Sequence, residues 1–218
     1  MDSSQFVRDR VKRKRVTLLL VAALLSAGFM IFADYHAVSP RGSWGILVLR
    51  DFTAILLLVG VFVFFKGLIQ LLRRHSRRTG LVNLLVGFLI VALILEAARM
   101  GNRVRMNAFA ALAERSAPLV DAIRKYEQVH GQPPSALADL IPEFLAVVPQ
   151  TEMGAYPQYK YRRGSESDDG NPWVLSVFTP TGVPDFDEFF FYPLQNYPLH
   201  RWGTNPVERI RDWAYLHE

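Results

Sequence analysis

The first hundred residues contain three long runs of apolar residues, separated by short polar segments. The first run covers residues 16–33, the second lies within 46–72, and the third covers 81–98. A helix that crosses the hydrocarbon core of a bilayer needs about 20 consecutive apolar residues. The pattern therefore predicts three transmembrane helices, and the third reaches this length only by including Glu96 near its end.

The first run follows a basic segment, an arrangement that is also typical of a secretory signal peptide. However, the apolar part is long, and the residues at its end, Ile31, Phe32 and Ala33, make a poor site for a signal peptidase that selects small residues. We therefore expect an uncleaved membrane anchor.

Two charged residues, Arg50 and Asp51, interrupt the beginning of the second run. We expect them at the membrane interface near Trp44, since aromatic and long basic side chains are enriched there. The alternative is a functional charge pair inside the membrane. Adjacent residues on a helix do not face one another, which disfavours that alternative.

The basic residues of the chain are concentrated beside the apolar runs. Six Lys and Arg residues lie within residues 1–15 and five within residues 66–78, in a chain whose net charge is +5. Because short loops rich in Lys and Arg stay in the cytoplasm, this distribution predicts a cytoplasmic N-terminus. Three crossings then place the residues after 98 in the periplasm of a bacterium with an inner and an outer membrane.

The same basic segments indicate membrane lipid, through its anionic headgroups, as a partner. A nucleic-acid partner is not expected, because the basic residues are not interleaved with aromatic residues on a folded face. The chain contains no cysteine, which excludes disulfides and thiolate chemistry. No catalytic motif is found, so the sequence predicts neither an enzyme nor a cofactor other than the calcium considered below.

Beyond residue 98 the pattern becomes that of an α+β domain. Apolar residues from Val104 to Tyr126 fit one face of a helix. Pro118 predicts either a kink or a second helix capped by Ser116. Gly131 is expected in the left-handed conformation that ends a helix, and Ser135 is expected to cap a short helix after it.

Three short segments rich in aromatic and β-branched residues predict antiparallel strands at residues 159–163, 173–178 and 186–192. Residues 208–216 predict a final short helix. The predicted organisation is therefore a basic cytoplasmic tail (1–15), a region of three transmembrane helices (16–98, with spans at about 16–33, 46–72 and 81–98), and a periplasmic α+β domain (99–218).

The junction between the last helix and the strands carries a recognisable set of residues: Ala122, Ile123, Tyr126, His130, Gly131, Pro134, Ser135, Leu137, Leu140, Pro142, Leu145, Pro149, Tyr159, Tyr161 and Val174 to Ser176. This set resembles the type IV pilin and type II secretion pseudopilin family, especially the major pseudopilin. The resemblance implies a pilin-like fold with a small antiparallel sheet. Residues 81–85 after Gly80 lack the Glu that the family has at its fifth position, so we expect a permanently anchored domain.

Two acidic clusters are candidate calcium ligands: Asp168 and Asp169 in one, and Asp185 and Asp187 in the other. Ca²⁺ takes about six to eight oxygen ligands, and the resemblance implies a calcium site because major pseudopilins have one in their β region. Neither cluster has the spacing of an EF-hand. A solvated loop and strand-edge charges are the alternative interpretation.

The aromatic run that includes Phe189 and Phe191 alternates between two faces of a predicted strand. One face would pack on the helix, and the other would be covered by the segment around Trp202 and Trp213 or by a partner. These four residues are the predicted interaction residues.

The sequence thus favours a non-enzymatic inner-membrane protein that displays its periplasmic domain for contact with an envelope protein or for self-association. One alternative is a membrane-anchored immunity or inhibitor protein that binds a periplasmic toxin or enzyme. Another is a periplasmic ligand sensor or hydrolase that uses His200 with Asp185 or Asp187.

Overall fold

The computed structural model describes residues 3–73, 76–164, 168–182, 186–201 and 205–217. Its helices are α1 (Ser3–Ala37), α2 (Gly45–Asp51), α3 (Ala54–Leu72) and α4 (Arg77–His130), followed by a single 3₁₀ turn (Leu137–Leu140). Its strands are β1 (Lys160–Arg163), β2 (Trp173–Phe178), β3 (Glu188–Phe191), β4 (His200–Arg201), β5 (Asn205–Ile210) and β6 (Trp213–Leu216).

The chain divides into two compact units. The first, here called the apolar unit, consists of Met1–Tyr35 and Leu49–Arg103. The second, here called the sheet unit, consists of His36–Val48 and Val104–Glu218. In α4 the division falls after Arg103, and the segment His36–Val48 belongs with the sheet unit although it lies between two apolar helices in the sequence.

Within the described residues, three helical segments are long and apolar enough to cross a membrane: Arg13–Ala37, Gly45–Leu72 and Arg77–His130. This confirms the three predicted helices, although α1 and α4 extend well beyond the apolar runs. The helices continue because the flanking residues carry few helix-breaking side chains, so the polar segments keep the helical backbone.

Glycines allow α3 and α4 of the apolar unit to pack with their backbones in close approach. A Cβ atom at Gly67 would lie 2.4 Å from the backbone nitrogen of Leu84, and one at Gly87 would lie 2.4 Å from the backbone nitrogen of Phe64. In addition, Asn83 Nδ2 donates a hydrogen bond to Gln70 Oε1 at 2.7 Å. Small residues and side-chain hydrogen bonds are the usual means of joining helices in lipid, where burial of apolar surface gives no advantage.

The strands of the sheet unit form an antiparallel sheet in the order β1-β2-β3-β6-β5-β4. The three predicted strands are present, and β2 has the predicted bounds. The predicted final helix is wrong, because residues 208–216 lie in the β5–β6 hairpin. The chain reverses at Arg211, whose φ of 60° lies in the left-handed region.

A strand period explains the hairpin better than the helix that was expected. Trp213 and Tyr215 lie in the hydrophobic cluster on one face of the sheet, whereas Ala214 and Leu216 lie in the cluster on the other face. Successive side chains of a strand point to opposite faces, so this alternation fits two buried faces and not a helical stripe.

Helix α4 passes through Pro118 as one continuous helix. Ser116 does not cap a second helix, because its hydroxyl donates a hydrogen bond to the carbonyl of Leu112 at 2.7 Å. Gly131 follows the helix with a φ of 71°, which confirms its predicted role as the C-terminal cap.

The turn that follows α4 is organised by Asp139, and Ser135 is not its cap. The Asp139 carboxylate accepts hydrogen bonds from the hydroxyl and backbone N–H of Ser135 and from the backbone N–H of Ala136. These donors, with the Ser135 hydroxyl first, lower the pKa of Asp139. The predicted short helix is accordingly a 3₁₀ turn of four residues.

The segment His36–Val48, which runs from the end of α1 into the start of α2, is an integral part of the sheet unit. Ala37 and Leu47 are fully buried in its main hydrophobic cluster. The backbone N–H groups of Gly154 and Ala155 donate hydrogen bonds to the carbonyls of Ser39 and Ala37, at 2.8 and 3.2 Å. This segment, which lies between the first two candidate spans in the sequence, thus packs with C-terminal residues of the chain.

We expect Gly67→Ala to disrupt the packing of α3 on α4, because the added methyl group would overlap the backbone of Leu84. Overpacking of this kind costs about 1–3 kcal/mol. The measurement is the thermal unfolding midpoint of the purified protein in detergent, and the expected result is a lower midpoint.

Gly28→Ala on α1 is the matched control, since nothing lies within 4 Å of a Cβ atom at that position. Its midpoint should equal or slightly exceed that of the wild type, because Ala favours a helix over Gly. Equal midpoints for the two variants would contradict the close packing of the helices.

Candidate functional site

The described residues among those predicted for interaction lie in the core of the sheet unit. Phe189 and Phe191 are fully buried and Trp213 is 1% exposed. The ring of Phe189 stacks on Phe109 of α4 at 5.2 Å and on Trp213 at 4.9 Å. Their prediction as exposed contact residues is therefore wrong, because they hold the sheet on the helix. Trp202 lies outside the described residues.

The opposite face of the sheet is covered by the chain itself. Phe190 and Tyr192 are fully buried in the second cluster, where Tyr197 packs against them. The rings of Tyr192 and Tyr197 stack at 5.3 Å, and the Tyr197 hydroxyl donates a hydrogen bond to the carbonyl of Asp212 at 2.7 Å. The sequence left two possible covers for this face, the C-terminal segment or a partner protein, and in the structure the C-terminal segment packs on it. Trp213 is not part of this cover, because it lies on the helix side of the sheet.

The candidate calcium ligands are held separately. Asp168 is buried and forms an ion pair with Arg162, and the hydrogen bond between them raises the pKa of Arg162. Asp187 is buried and accepts a hydrogen bond from the Tyr215 hydroxyl. Asp169 is exposed at a turn, and Asp185 lies outside the described residues.

Among the residues that the structure describes, no three His, Asp or Glu side chains are grouped closely enough to hold a metal ion. Calcium binding therefore stays a prediction from the sequence. The known contacts of Asp168 and Asp187 give each of them a role inside the sheet unit.

A buried polar cluster joins α4 to one end of the sheet. Arg105 is 4% exposed, and its Nη2 donates hydrogen bonds to the Tyr215 hydroxyl at 2.9 Å and to the carbonyl of Thr179 at 3.1 Å. The Tyr215 hydroxyl donates in turn to Asp187. The guanidinium also lies over the ring of Phe109, 5.5 Å from its centroid. One helix residue thus ties together the end of β2, the start of β3 and β6.

Burial sets the protonation state of this cluster. It raises the pKa of Tyr215 well above its usual value, so the phenol stays protonated and can donate to Asp187. Burial of a guanidinium and a carboxylate is favourable only when their hydrogen-bonding groups are satisfied, and here the Tyr215 hydroxyl bonds both Arg105 and Asp187. The arrangement is a fixed structural connection between helix and sheet. In the sequence, the position of Arg105 four residues before Phe109, on the apolar face of α4, indicates that its guanidinium is buried.

A second charged cluster lies in the apolar unit. Arg50 Nη1 donates a hydrogen bond to Asp34 Oδ1 at 2.6 Å, and Arg50 Nη2 donates to Asp51 Oδ1 at 3.2 Å. A Cβ atom at Gly101 of α4 would lie 2.0 Å from Asp34 Oδ2, so the glycine leaves room for this carboxylate. The sequence did not predict the ion pair of Arg50 with Asp34. The two terminal nitrogens of the Arg50 guanidinium contact the carboxylates of Asp34 and Asp51.

Exposed apolar side chains gather where α4 ends. The rings of Tyr126 and His130 are stacked with their centroids 4.1 Å apart, and the ring of Phe144 packs against both. The flanking side chains of the same segments are exposed by 65%, 42% and 70%, for Val129, Ile141 and Val147 respectively. We call these six residues the helix-end patch. Exposed apolar patches of this kind mark contact sites for other proteins.

We expect Tyr215→Phe to lower the stability of the sheet unit at neutral pH by about 1–3 kcal/mol, because the buried Arg105 and Asp187 each lose a hydrogen-bond partner. The variant should also show a weaker dependence on alkaline pH. In the wild type the raised pKa of Tyr215 gives stability that is fully present below about pH 10 and is lost as the pH rises further.

The check is thermal unfolding followed by near-ultraviolet circular dichroism between about pH 8 and about pH 11. Above about pH 10 the wild type should lose about 1.4 kcal/mol more per pH unit than Tyr215→Phe. Parallel curves for the two proteins would show that Tyr215 is not held protonated by burial.

We expect Asp34→Ala to destabilise the apolar unit by about 3 kcal/mol, because it removes a buried carboxylate from a guanidinium that is itself mostly buried. Asp51→Ala is the matched control, since the Asp51 side chain is 43% exposed and its pairing is worth about 0–1 kcal/mol. Loss of helical circular dichroism on heating in detergent measures both. A larger effect of Asp51→Ala would contradict this assignment of the main ion pair.

Comparison with models of known protein families, with curated protein sequences and with solved structures finds no match to this chain. The residues and contacts described above are therefore the basis on which a function is proposed.

Proposed function

We propose that this chain is a non-enzymatic integral protein of the bacterial inner membrane that displays a pilin-like α+β domain in the periplasm. The domain contacts another envelope protein or a second copy of the chain. The observation that carries the proposal is the continuity of α4, which is apolar over residues 81–98 and packs on an antiparallel sheet from Arg105 onward.

A helix that leaves the membrane and becomes the support of a small antiparallel sheet is the arrangement that the resemblance to pilins and pseudopilins implies. The residues that carry the resemblance support it through their positions. Ile123 is buried under the sheet, Gly131 ends the helix, and the Tyr161 hydroxyl donates a hydrogen bond to the carbonyl of Pro134 in the corner that follows.

The proposed orientation rests on charge together with the position of one segment. The segment His36–Val48 packs with the C-terminal residues, which supports a location of both on one side of the membrane. The basic segments 1–15 and 73–78 lie on the opposite side if each apolar helix crosses once. Since basic segments stay in the cytoplasm, the sheet unit is periplasmic.

The helix-end patch is the proposed contact surface. Its valines, its isoleucine and His130 are exposed, whereas Tyr126 and Phe144 are half-buried, and the three rings pack against one another. Rigid aromatic residues surrounded by exposed apolar ones suit the centre of a protein–protein interface. The patch replaces the predicted contact residues Phe189, Phe191 and Trp213, which are core.

Site-specific photo-crosslinking in native membranes tests the proposal. A photoreactive amino acid at Val129 and at Val147 should give the same adduct, with one envelope protein or with a second copy of the chain. Val147→Glu should reduce the adduct formed from position 129, because a charge in the patch would be desolvated on contact.

A photoreactive residue at Glu208, an exposed position on β5, is the matched control and should not give that adduct. A reporter enzyme that is active only in the periplasm serves as the check on orientation. It should be active when fused after residue 218 and inactive when fused after residue 76. Equal adducts from positions 147 and 208, or the reverse reporter pattern, would overturn the proposal.

A further inference from the structure

Among the residues that the structure describes, two charged side chains beside the helix-end patch have neither an ion pair nor a hydrogen bond. They are Lys125 on α4 and Glu143 in the segment after the 3₁₀ turn, and both are exposed. Lys125 is four residues before Val129, so the two side chains are neighbours on the helix surface. Glu143 directly precedes Phe144, whose ring packs against Tyr126 at 5.5 Å. Each of the two segments that form the patch therefore contributes one charge, and the two charges have opposite signs.

The other Asp, Glu, Lys and Arg side chains between residues 121 and 150 are engaged inside the chain. Asp121 forms an ion pair with Arg124 at 3.9 Å, and the Arg124 guanidinium also lies over a buried ring of the sheet. Glu127 accepts a hydrogen bond from a side chain of β2, and Asp139 organises the turn after α4. In this fully described stretch, the fold thus leaves only the two charges beside the patch for a contact outside the chain.

The balance of these charges favours a second copy of the chain as the partner. In a dimer with two-fold symmetry both copies present the same patch, so each contact between different residues occurs twice. Such a patch must complement itself. An apolar centre with one positive and one negative charge meets this condition, because Lys125 of one copy can pair with Glu143 of the other in both contacts. A surface for a different protein does not need this balance.

We propose that the helix-end patch is a self-association surface, on which two copies of the chain pack with Lys125 of each copy paired with Glu143 of the other. The inference rests on the proposed function, in which this patch is the contact surface, and it names the partner. The exposed side chains of Val129, Ile141 and Val147 form the apolar centre of the contact. The charges at the rim add little affinity, but they fix the register of the two copies and disfavour other partners.

Charge reversal in the purified full chain tests this pairing. A photoreactive amino acid at Val129 is activated in detergent solution, where a second copy is the only protein partner present. The measurement is the protein concentration that gives half of the maximal adduct of twice the chain mass. Lys125→Glu and Glu143→Lys should each weaken self-association by about tenfold, because two like-charge contacts replace two ion pairs. The double variant, with both reversals, should associate like the wild type.

An equimolar mixture of the two single variants, one of them with an affinity tag, is the second measurement. The mixture should form mixed dimers as readily as the wild type forms its own, since the two reversed charges meet each other and the two native charges do likewise. This recovery would also show that both variants are folded. Glu208→Lys, at an exposed position on β5, is the matched control and should leave self-association unchanged.

The absence of an adduct from the purified wild type would overturn the inference. The proposed function would still stand in that case if position 129 forms an adduct with a different envelope protein in native membranes. A wild-type adduct that both single variants retain in full would also overturn the inference, since the copies would then meet through other residues. Failure of the single variants to form mixed dimers would contradict the pairing of Lys125 with Glu143.

Discussion

The change in the surface of α4 along its length is the constraint on which the rest of the structure depends. Over residues 84–95 the helix is apolar on all sides, and from Arg105 to Ile123 only one face is apolar and buried. A helix that is apolar all round suits lipid, whereas a single apolar face requires a cover in water. The sheet supplies that cover, and Phe109 lies at its centre in contact with Phe189 and Tyr215.

Buried charges follow the same logic in both units. Each guanidinium lies where water is scarce, and each is held by acceptors from segments that are distant in sequence. Arg50 binds Asp34 across the first loop, and Arg105 reaches the Tyr215–Asp187 pair more than eighty residues later. A buried charge is costly unless it is paired, so these contacts specify one arrangement of the segments even where they add little net stability.

Local patterns were sufficient wherever the forces are local. The run Trp173–Phe178 between turn residues gave the bounds of β2, and Gly131 gave the end of α4, because both depend on the preferences of a few neighbouring residues. The helix predicted for residues 208–216 was wrong. Glu208 and Arg211 have helical spacing, whereas β3, the strand that pairs with β6, begins twenty residues earlier and is not part of any local pattern. The burial of Phe189 likewise depends on Phe109, eighty residues before it.

The membership of the segment His36–Val48 in the sheet unit has a consequence for the order of folding. This segment is synthesised long before the strands, yet Ala37 and Leu47 are buried in the same hydrophobic cluster as residues of α4 and of the sheet. The cluster can therefore be completed only after the strands have been made. A fragment that begins at α4 would lack part of its own core.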